Sequence, residues 1–160
     1  MSSDFRAPSE VRQVLTAAEL EATRRMIREY AASLQGTVCM TSHEDEMAHL
    51  AERYPTSEGG LWLALWNGEI AGCIALRQHR PGQGEIKRLY VTPGFRGRGI
   101  ARRLMLTALE AAISLGYTSV YLDTLPSMEA AHALYRHLGF RITRTSAAPD
   151  DPVEMERALP

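Results

Sequence analysis

The chain has 160 residues, of which 45% are apolar and 23% are charged. It therefore has the length of one domain and enough apolar side chains to bury a core, which excludes a chain disordered throughout. Eighteen Lys and Arg against nineteen Asp and Glu leave a net charge of -1, and this excludes an overall attraction to nucleic acid or to an anionic membrane.

The N-terminal part of the chain is predicted to form one strand and two helices. A short strand over Val11–Leu15 leads into a helix whose start is marked by a capping box, with Thr16 as the cap and Glu19 three residues later. Gly36 ends this helix, and a second one covers His43–Tyr54 before a proline. Residues 1–9 are polar and are expected to be a flexible N-terminal segment.

The middle of the chain changes to the alternation of strands. Leu61–Trp66 and Glu69–Arg77 are strand-like runs joined by Asn67–Gly68, a dipeptide that favours a type I′ hairpin turn because both residues tolerate positive φ. His79–Gly84 is predicted to be a loop, and Glu85–Val91 is predicted to be the next strand.

The remaining elements alternate between helices and strands, and they complete a mixed α/β layout. They are a helix over Gly99–Leu115, a strand over Ser119–Asp123, a helix over Met128–Leu138 closed by Gly139, and strands over Arg141–Arg144 and Val153–Arg157. No linker interrupts the order, so residues 1–160 are predicted to form a single domain.

The segment that carries chemistry is the glycine-rich loop between the strand ending at Val91 and the helix beginning at Gly99. Unpaired amides at a helix start, together with glycines that admit close approach, form a cradle for phosphate. Arginines add positive charge around it. A Walker loop is excluded because no Gly-Lys-Ser or Gly-Lys-Thr is present, and a dinucleotide fingerprint is disfavoured because Arg102 stands at the third glycine position.

These segments resemble a known family. Arg96–Ala101 reads Arg-Gly-Arg-Gly-Ile-Ala and matches the Arg/Gln-x-x-Gly-x-Gly/Ala signature of the GNAT N-acetyltransferase superfamily. Glu85–Val91 is similar to that family's fourth strand, and Ala133–Phe140 to its second motif, a helix with a Leu-Tyr pair that ends at Gly-Phe. The resemblance covers Val11–Leu159 and implies a GNAT fold, with a mixed, mostly antiparallel sheet of about six to seven strands flanked by about four helices.

The resemblance implies acetyl-coenzyme A as the cofactor. In the family the loop amides hold the pyrophosphate, and the end of the fourth strand pairs with the pantetheine arm. Many members carry an Asn that contacts the pantetheine arm where this chain has Met128, so the chain departs from the family at that position. The residues expected to bind the cofactor are Leu89, Tyr90, Val91, Arg96, Gly97, Arg98, Gly99, Ile100, Ala101 and Arg102.

Acetyl transfer to an amine needs a base and an acid. A lysine-like amine has a pKa near 10.4, so only about one in a few thousand is neutral at pH 7, and the leaving thiolate benefits from a proton donor. Tyr135 matches the family's tyrosine acid, although its helical stripe also suits a core aromatic. Glu85 is the candidate base, on a face shared with Lys87, Leu89 and Val91, and a solvated strand-end carboxylate is the alternative.

The family's first two helices and its last strand-to-strand loop line the acceptor side. Glu29 and Tyr30 are therefore expected to bind substrate, with Arg28, Gln35–Ser42 and Thr145–Pro152 nearby. The leading hypothesis is a cytoplasmic N-acetyltransferase, monomeric or homodimeric, that acts on a small-molecule or peptide amine without nucleic-acid, membrane or metal partners. The alternative is a non-catalytic acyl-CoA-binding module.

Cysteine chemistry is not expected to contribute to this activity. The chain has two cysteines, Cys39 and Cys73, which are too few for a disulfide scaffold and are typical of a reducing compartment. Cys73 alternates within an apolar strand and is predicted to lie in the core.

No apolar run reaches the roughly 18 residues of a membrane span.

Overall fold

The computed structural model describes residues 9–34, 43–145, 148 and 151–160. The strands in these residues are β1 (Ser9–Gln13), β2 (Gly60–Trp66), β3 (Glu69–Arg80), β4 (Gln83–Val91), β5 (Ser119–Thr124), β6 (Arg141–Arg144) and β7 (Val153–Ala158). The helices are α1 (Ala17–Ser33), α2 (His43–Ala48), α3 (Leu50–Arg53), α4 (Ile100–Ser114) and α5 (Glu129–His137). The order predicted from the sequence is confirmed, except that the second helix is divided in two.

The strands form one seven-stranded sheet in the order β1-β2-β3-β4-β5-β7-β6. Every neighbouring pair is antiparallel except β4 and β5, which are parallel. The mixed, mostly antiparallel sheet is therefore confirmed. The predicted hairpin is confirmed as well, because Asn67 and Gly68 have φ values of 49° and 84°, the positive pair that a type I′ turn requires.

Two apolar clusters cover the two faces of the sheet. On one face α4 and α5 pack against the strands, with Leu104 and Met105 fully buried. On the other face the helices α1 to α3 pack over the strands through buried Ile27 and Leu50, next to buried Cys73, whose predicted core position is confirmed. Within the residues just given, no helix is both long enough and apolar enough to cross a bilayer.

Three predicted segments differ from the structure by more than one residue at a boundary or in their continuity. The first strand starts and ends two residues earlier, because its pairing with β2 runs from Ser9 to Gln13 and leaves Leu15 72% exposed. The loop predicted over His79–Gly84 is wrong, since β3 continues to Arg80 and pairs there with Gln83. The single helix over His43–Tyr54 is also wrong, because His49 leaves helical geometry with φ −124° and ψ 33°.

Other expectations lie outside the described residues. These concern residues 1–8, Gly36 as a helix end, and the segment Gln35–Ser42 with Cys39. The structure describes only part of Thr145–Pro152.

A β-bulge interrupts β4 at Arg88. Lys87 pairs with Ala75, whereas Tyr90 pairs with Cys73, so two residues of β4 lie opposite one residue of β3. The prediction that Glu85, Lys87, Leu89 and Val91 share one face is therefore wrong, because the extra residue reverses the alternation beyond it. Tyr90 lies on the Glu85 face, and Val91, which pairs with Gly72, lies on the opposite face.

The parallel ladder between β4 and β5 is short. It contains three pairs, from Gln83 opposite Ser119 to Glu85 opposite Tyr121. Beyond them β5 continues along β7 and β4 continues along β3. The two strands therefore separate in the middle of the sheet, and the facing edge of β4 from Ile86 to Val91 is left without a strand partner.

Candidate active site

A cavity of about 550 Å³ lies where β4 separates from β5. Its walls come from the end of α1, the end of β4, the glycine-rich loop with the start of α4, and the start of α5. The lining residues are Tyr30, Ser33, Leu34, Leu89, Tyr90, Val91, Phe95, Arg96, Gly97, Gly99, Ile100, Ala101, Arg102, Ser127, Met128, Glu129, Ala130, Ala131 and Leu134. Nine of the ten residues predicted to bind cofactor are among them, and Arg98 is not.

The glycine-rich loop presents open backbone to this cavity. Gly97 and Gly99 have φ values of 78° and 76°, and a Cβ on either glycine would meet no heavy atom within 4 Å beyond its chain neighbours. The first helical hydrogen bond of α4 is donated by the Arg103 amide to Gly99, so the three preceding amides have no acceptor within the helix. The first turn of α4 holds no acidic residue, so its positive end is available to an anion.

The arginines of the loop take different positions. The Arg96 guanidinium donates its Nε–H to the Val91 carbonyl at 2.9 Å and lies 5.7 Å from the centre of the Tyr90 ring. Arg98 instead covers the Trp66 ring at 4.8 Å. Arg96 therefore ties the loop to the end of β4, whereas Arg98 packs outside the cavity.

The residues predicted for the acceptor lie at the C-terminal end of α1. The Tyr30 ring is 5.3 Å from the Tyr90 ring and lines the cavity. Burial raises the pKa of Tyr30, while the positive charge of Arg88 opposes this shift. Glu29 does not line the cavity, and its carboxylate accepts a hydrogen bond from the Thr92 hydroxyl at 2.9 Å. Tyr30 thus faces the site, and Glu29 fixes the loop that follows β4.

Tyr135 lies in the core between α5 and the sheet. Its ring is 6.0 Å from Phe140 at 59°, and the residue is only 7% exposed. Burial raises the pKa of Tyr135, with smaller contributions from Tyr30 and Asp123. Tyr135 itself does not line the cavity, but its neighbours in α5, Ala131 and Leu134, do.

Glu85 lies at the closed end of that gap. The residue is 5% exposed, and its carboxylate accepts a hydrogen bond from the Arg77 Nε–H at 3.0 Å. His79 is 3.9 Å from the same oxygen and stacks on Tyr121. Glu85 does not line the cavity. It is a buried, ion-paired carboxylate rather than the solvated strand-end carboxylate of the alternative interpretation.

Asp123 is a carboxylate that the sequence analysis did not single out. It lies on β5 two residues beyond the last pair with β4, on the face shared by Glu85 and Tyr121. The side chain is exposed, and the hydrogen bonds and ion pairs found among the described residues do not include it. Asp123 does not line the cavity. It lies where β5 has separated from β4, and no spacing in the sequence indicates that separation.

The start of α5 was also only partly foreseen. Met128, which stands where many family members have Asn, does line the cavity. Ser127 and Glu129 flank it, and Ala131 and Leu134 come from the helical stripe that also contains Tyr135. That stripe was the available signal for these residues. Phe95 had none, since it lies in a short 3₁₀ turn over Pro93–Phe95.

A phosphate-bearing acyl carrier fits these residues. The loop offers unpaired amides and open space at two glycines, and Arg96 and Arg102 line the same end. From there an elongated ligand can extend along the unpaired edge of β4 toward Tyr30 and the strand gap. A ligand with a pyrophosphate and an amide-containing arm requires these two kinds of binding group, an anion site and an unpaired strand edge.

A scan against family models matches residues 22–140 to the acetyltransferase (GNAT) family. The chain belongs to this family. It is an N-acetyltransferase, and acetyl-CoA is the acetyl donor that the family uses. The matched segment contains the end of β4 and the glycine-rich loop, which line the cavity, and it also contains Tyr135, which lies in the core beside it.

Individual relatives agree with this assignment. The chain is 30% identical over 137 residues to the N-acetyltransferase YjgM of Escherichia coli strain K12, covering 82% of each protein. It is 35% identical over 121 residues to the N-acetylaspartate synthetase of Homo sapiens, covering 74% of this chain but only 37% of the human protein.

A solved structure shares the fold. The acetyltransferase yncA from Salmonella typhimurium, solved with acetyl-CoA, has a TM-score of 0.78 at 18% identity and covers 96% of this chain and 95% of its own.

Proposed function

We propose that this acetyltransferase transfers the acetyl group to a primary amine of a small molecule or peptide by direct attack on the thioester. The observation that carries the proposal is the cavity at the strand gap. It combines the anion-binding loop with Tyr30 and the unpaired edge of β4. Glu85 and Asp123 lie outside its lining, on the sheet face where the two strands separate. Direct attack requires both reactants in one cavity, and this arrangement supports it.

The donor half of the proposal rests on the loop and on the end of β4. The amides from Gly97 to Arg102 would hold the pyrophosphate, and the edge of β4 at Leu89 and Val91 would hydrogen-bond the amides of the arm. When bound, acetyl-CoA supplies an activated acetyl thioester. An N–H on this unpaired edge is suited to donate to the thioester oxygen as negative charge develops on it.

Tyr135 is the proposed acid. Because burial raises its pKa, the hydroxyl keeps its proton throughout the neutral pH range and can donate a hydrogen bond to the leaving sulfur. The place of Tyr135 in α5, directly after Leu134 and one turn after Ala131, which both line the cavity, supports this role. The core position of the ring fixes the hydroxyl, since Tyr135 packs beside Phe140.

The proposed route for the amine proton uses the carboxylates on the Glu85 face. Glu85 is the base proposed from the sequence, and its ion pair with Arg77 at 3.0 Å and its distance from the cavity favour action through water. Asp123 is exposed on the same face and is suited to attract a protonated amine from solvent. Asp123 would thus draw the protonated amine to the gap, and Glu85 would accept its proton through water.

Acetyl-CoA incubated with a panel of amines tests the proposed function, with release of free thiol as the readout. The panel contains α-amino acids, polyamines and short peptides. Aspartate is included because a matching relative is named N-acetylaspartate synthetase. We expect amine-dependent thiol release above the rate of hydrolysis. Calorimetric binding of coenzyme A without thiol release for any amine would instead favour the acyl-CoA-binding module.

A further inference from the structure

The bulge in β4 stands directly before the three strand residues that line the cavity. Arg88, with φ +60°, and Asn67 are the two residues other than glycine that have positive φ among the described residues. Leu89, Tyr90 and Val91 follow Arg88 and line the cavity. The left-handed conformation is unfavourable for a residue with a side chain, so the surrounding structure must hold Arg88 in it.

Three side chains from two parts of the chain meet at this bulge. The Arg88 guanidinium lies 2.8 Å from Oε2 of Glu46 in α2, and the Tyr54 hydroxyl after α3 donates to Oε1 of Glu46 at 2.7 Å. We call Tyr54, Glu46 and Arg88 the bulge clasp. The Cys73 thiol adds a hydrogen bond to the Arg88 carbonyl at 3.2 Å, so both the side chain and the backbone of Arg88 are held.

The clasp is a buried ion pair. Glu46 is 2% exposed. Burial acts to raise the pKa of Glu46, yet the adjacent positive charge of Arg88 outweighs it and keeps the pKa below its usual value. The Arg88 Nε and the Glu46 Oε2 are both buried without a hydrogen-bond partner among the described residues, so the 2.8 Å contact to Oε2 is an ion pair. Apolar side chains of similar volume often stabilise a fold as well as such a pair does, so stability alone is a weak reason for it.

The bulge decides which side of the sheet each cavity residue faces. Because of the extra residue, Tyr90 shares the face of Glu85 and packs against Tyr30, while Val91 lies on the face of α4. Without the bulge the two residues would exchange faces. The unpaired backbone N–H and C=O groups after Arg88 would then also change direction.

We infer that the bulge clasp is a positioning device, in which α2 and α3 hold Arg88 in the left-handed conformation so that the end of β4 faces the acetyl-CoA cavity. Arg88 acts through the backbone conformation and not by contact with a reactant. The inference rests on the proposed role of the β4 end in holding acetyl-CoA. It goes beyond that role because it assigns a function to residues outside the cavity.

A comparison of glycine with alanine at position 88 tests the inference. The variants are E46Q/R88G and E46Q/R88A, because the Glu46→Gln change removes the buried charge that either substitution alone would leave unpaired. Glycine adopts positive φ freely, and alanine does not. We expect E46Q/R88G to bind coenzyme A within about threefold of the wild-type Kd, and E46Q/R88A to bind roughly tenfold more weakly.

A matched control uses the other non-glycine residue with positive φ. Asn67 lies in the β2–β3 turn, with φ 49°, and does not line the cavity. N67G and N67A are expected to differ in Tm but not in the Kd for coenzyme A. The control separates a change at the cofactor site from a general change in stability.

The outcomes separate three cases. If coenzyme A bound equally weakly to E46Q/R88G and E46Q/R88A, the guanidinium itself would be required. If both variants bound it with wild-type affinity, the left-handed conformation at the bulge would not be required. Each result overturns the inference. Failure of the wild-type protein to bind coenzyme A would overturn the proposed function as well.

Discussion

Adding a side chain to Gly97 is expected to weaken coenzyme A binding far more than it weakens the fold. The matched control is Gly116, which follows α4 at its opposite end. The two glycines have φ values of 78° and 83°, and a Cβ on either would meet no heavy atom within 4 Å beyond its chain neighbours. The helix between them has 15 residues, so about 22 Å separates the two sites.

The expected magnitudes follow from this geometry. Valine in a left-handed conformation costs about 1–2 kcal/mol at either position, which lowers Tm by roughly 2–8 °C for a chain of this size. Gly97→Val also keeps a phosphate away from at least one amide. A hydrogen bond to a charged group contributes about 1.5–3 kcal/mol, so the Kd for coenzyme A should rise about 10- to 150-fold.

The measurement combines thermal unfolding with calorimetric titration of coenzyme A into each variant. We expect similar losses of Tm in Gly97→Val and Gly116→Val, and a raised Kd in Gly97→Val alone. If the two variants bound coenzyme A equally well, the amides of this loop would not hold its phosphates.

Three other predictions concern proton transfer and acid stability. Tyr135→Phe should lower kcat roughly 10²-fold with little change in the Kd for coenzyme A, and a kcat within about twofold of the parent would leave Tyr135 only a packing role. Glu85→Gln and Asp123→Asn should each reduce kcat/KM for amine acetylation with little change in the Kd for coenzyme A; an unchanged kcat/KM in both variants would indicate solvent as the base. The pKa of Glu46 is lowered in the folded state, so ionised Glu46 stabilises the fold above the ordinary pKa of 4.5, and this stabilisation is lost as the pH falls through the lowered pKa. The unfolding free energies of wild type and Glu46→Gln should therefore converge at low pH, and a difference that stays constant with pH would contradict the prediction.

Local sequence signals were sufficient for most of the fold. The capping box at Thr16 and Glu19 forms with both of its hydrogen bonds, and the turn at Asn67–Gly68 joins the predicted strands. Gly139 has φ 89° after α5, as its predicted capping position requires. These features depend on residues close in the chain, so spacing and residue type alone determine them.

Features that depend on contacts distant in sequence were missed. The bulge at Arg88 is held by Glu46 and Tyr54, which precede it by more than thirty residues, and no spacing within β4 indicates it. Glu85 is buried because it pairs with Arg77 of β3 on one side and with Tyr121 of β5 on the other, and the pairing with β5 depends on a contact distant in sequence. The glycine-rich loop was predictable because its binding groups are the backbone amides and the helix start within the loop itself. The face on which each residue of β4 lies was not predictable, because it depends on the bulge.

The separation of β4 from β5 also divides the sheet mechanically. Only three residue pairs, at one end of the strands, join β1–β4 to β5–β7, so the interior of the sheet contains a free edge of the kind normally found at its outside. Amide hydrogens along that edge lack the ladder partners that slow exchange elsewhere in a sheet. A ligand with amide groups that lies along the edge would close the seam, so occupancy of the site and the rigidity of the whole sheet are coupled through the same hydrogen bonds.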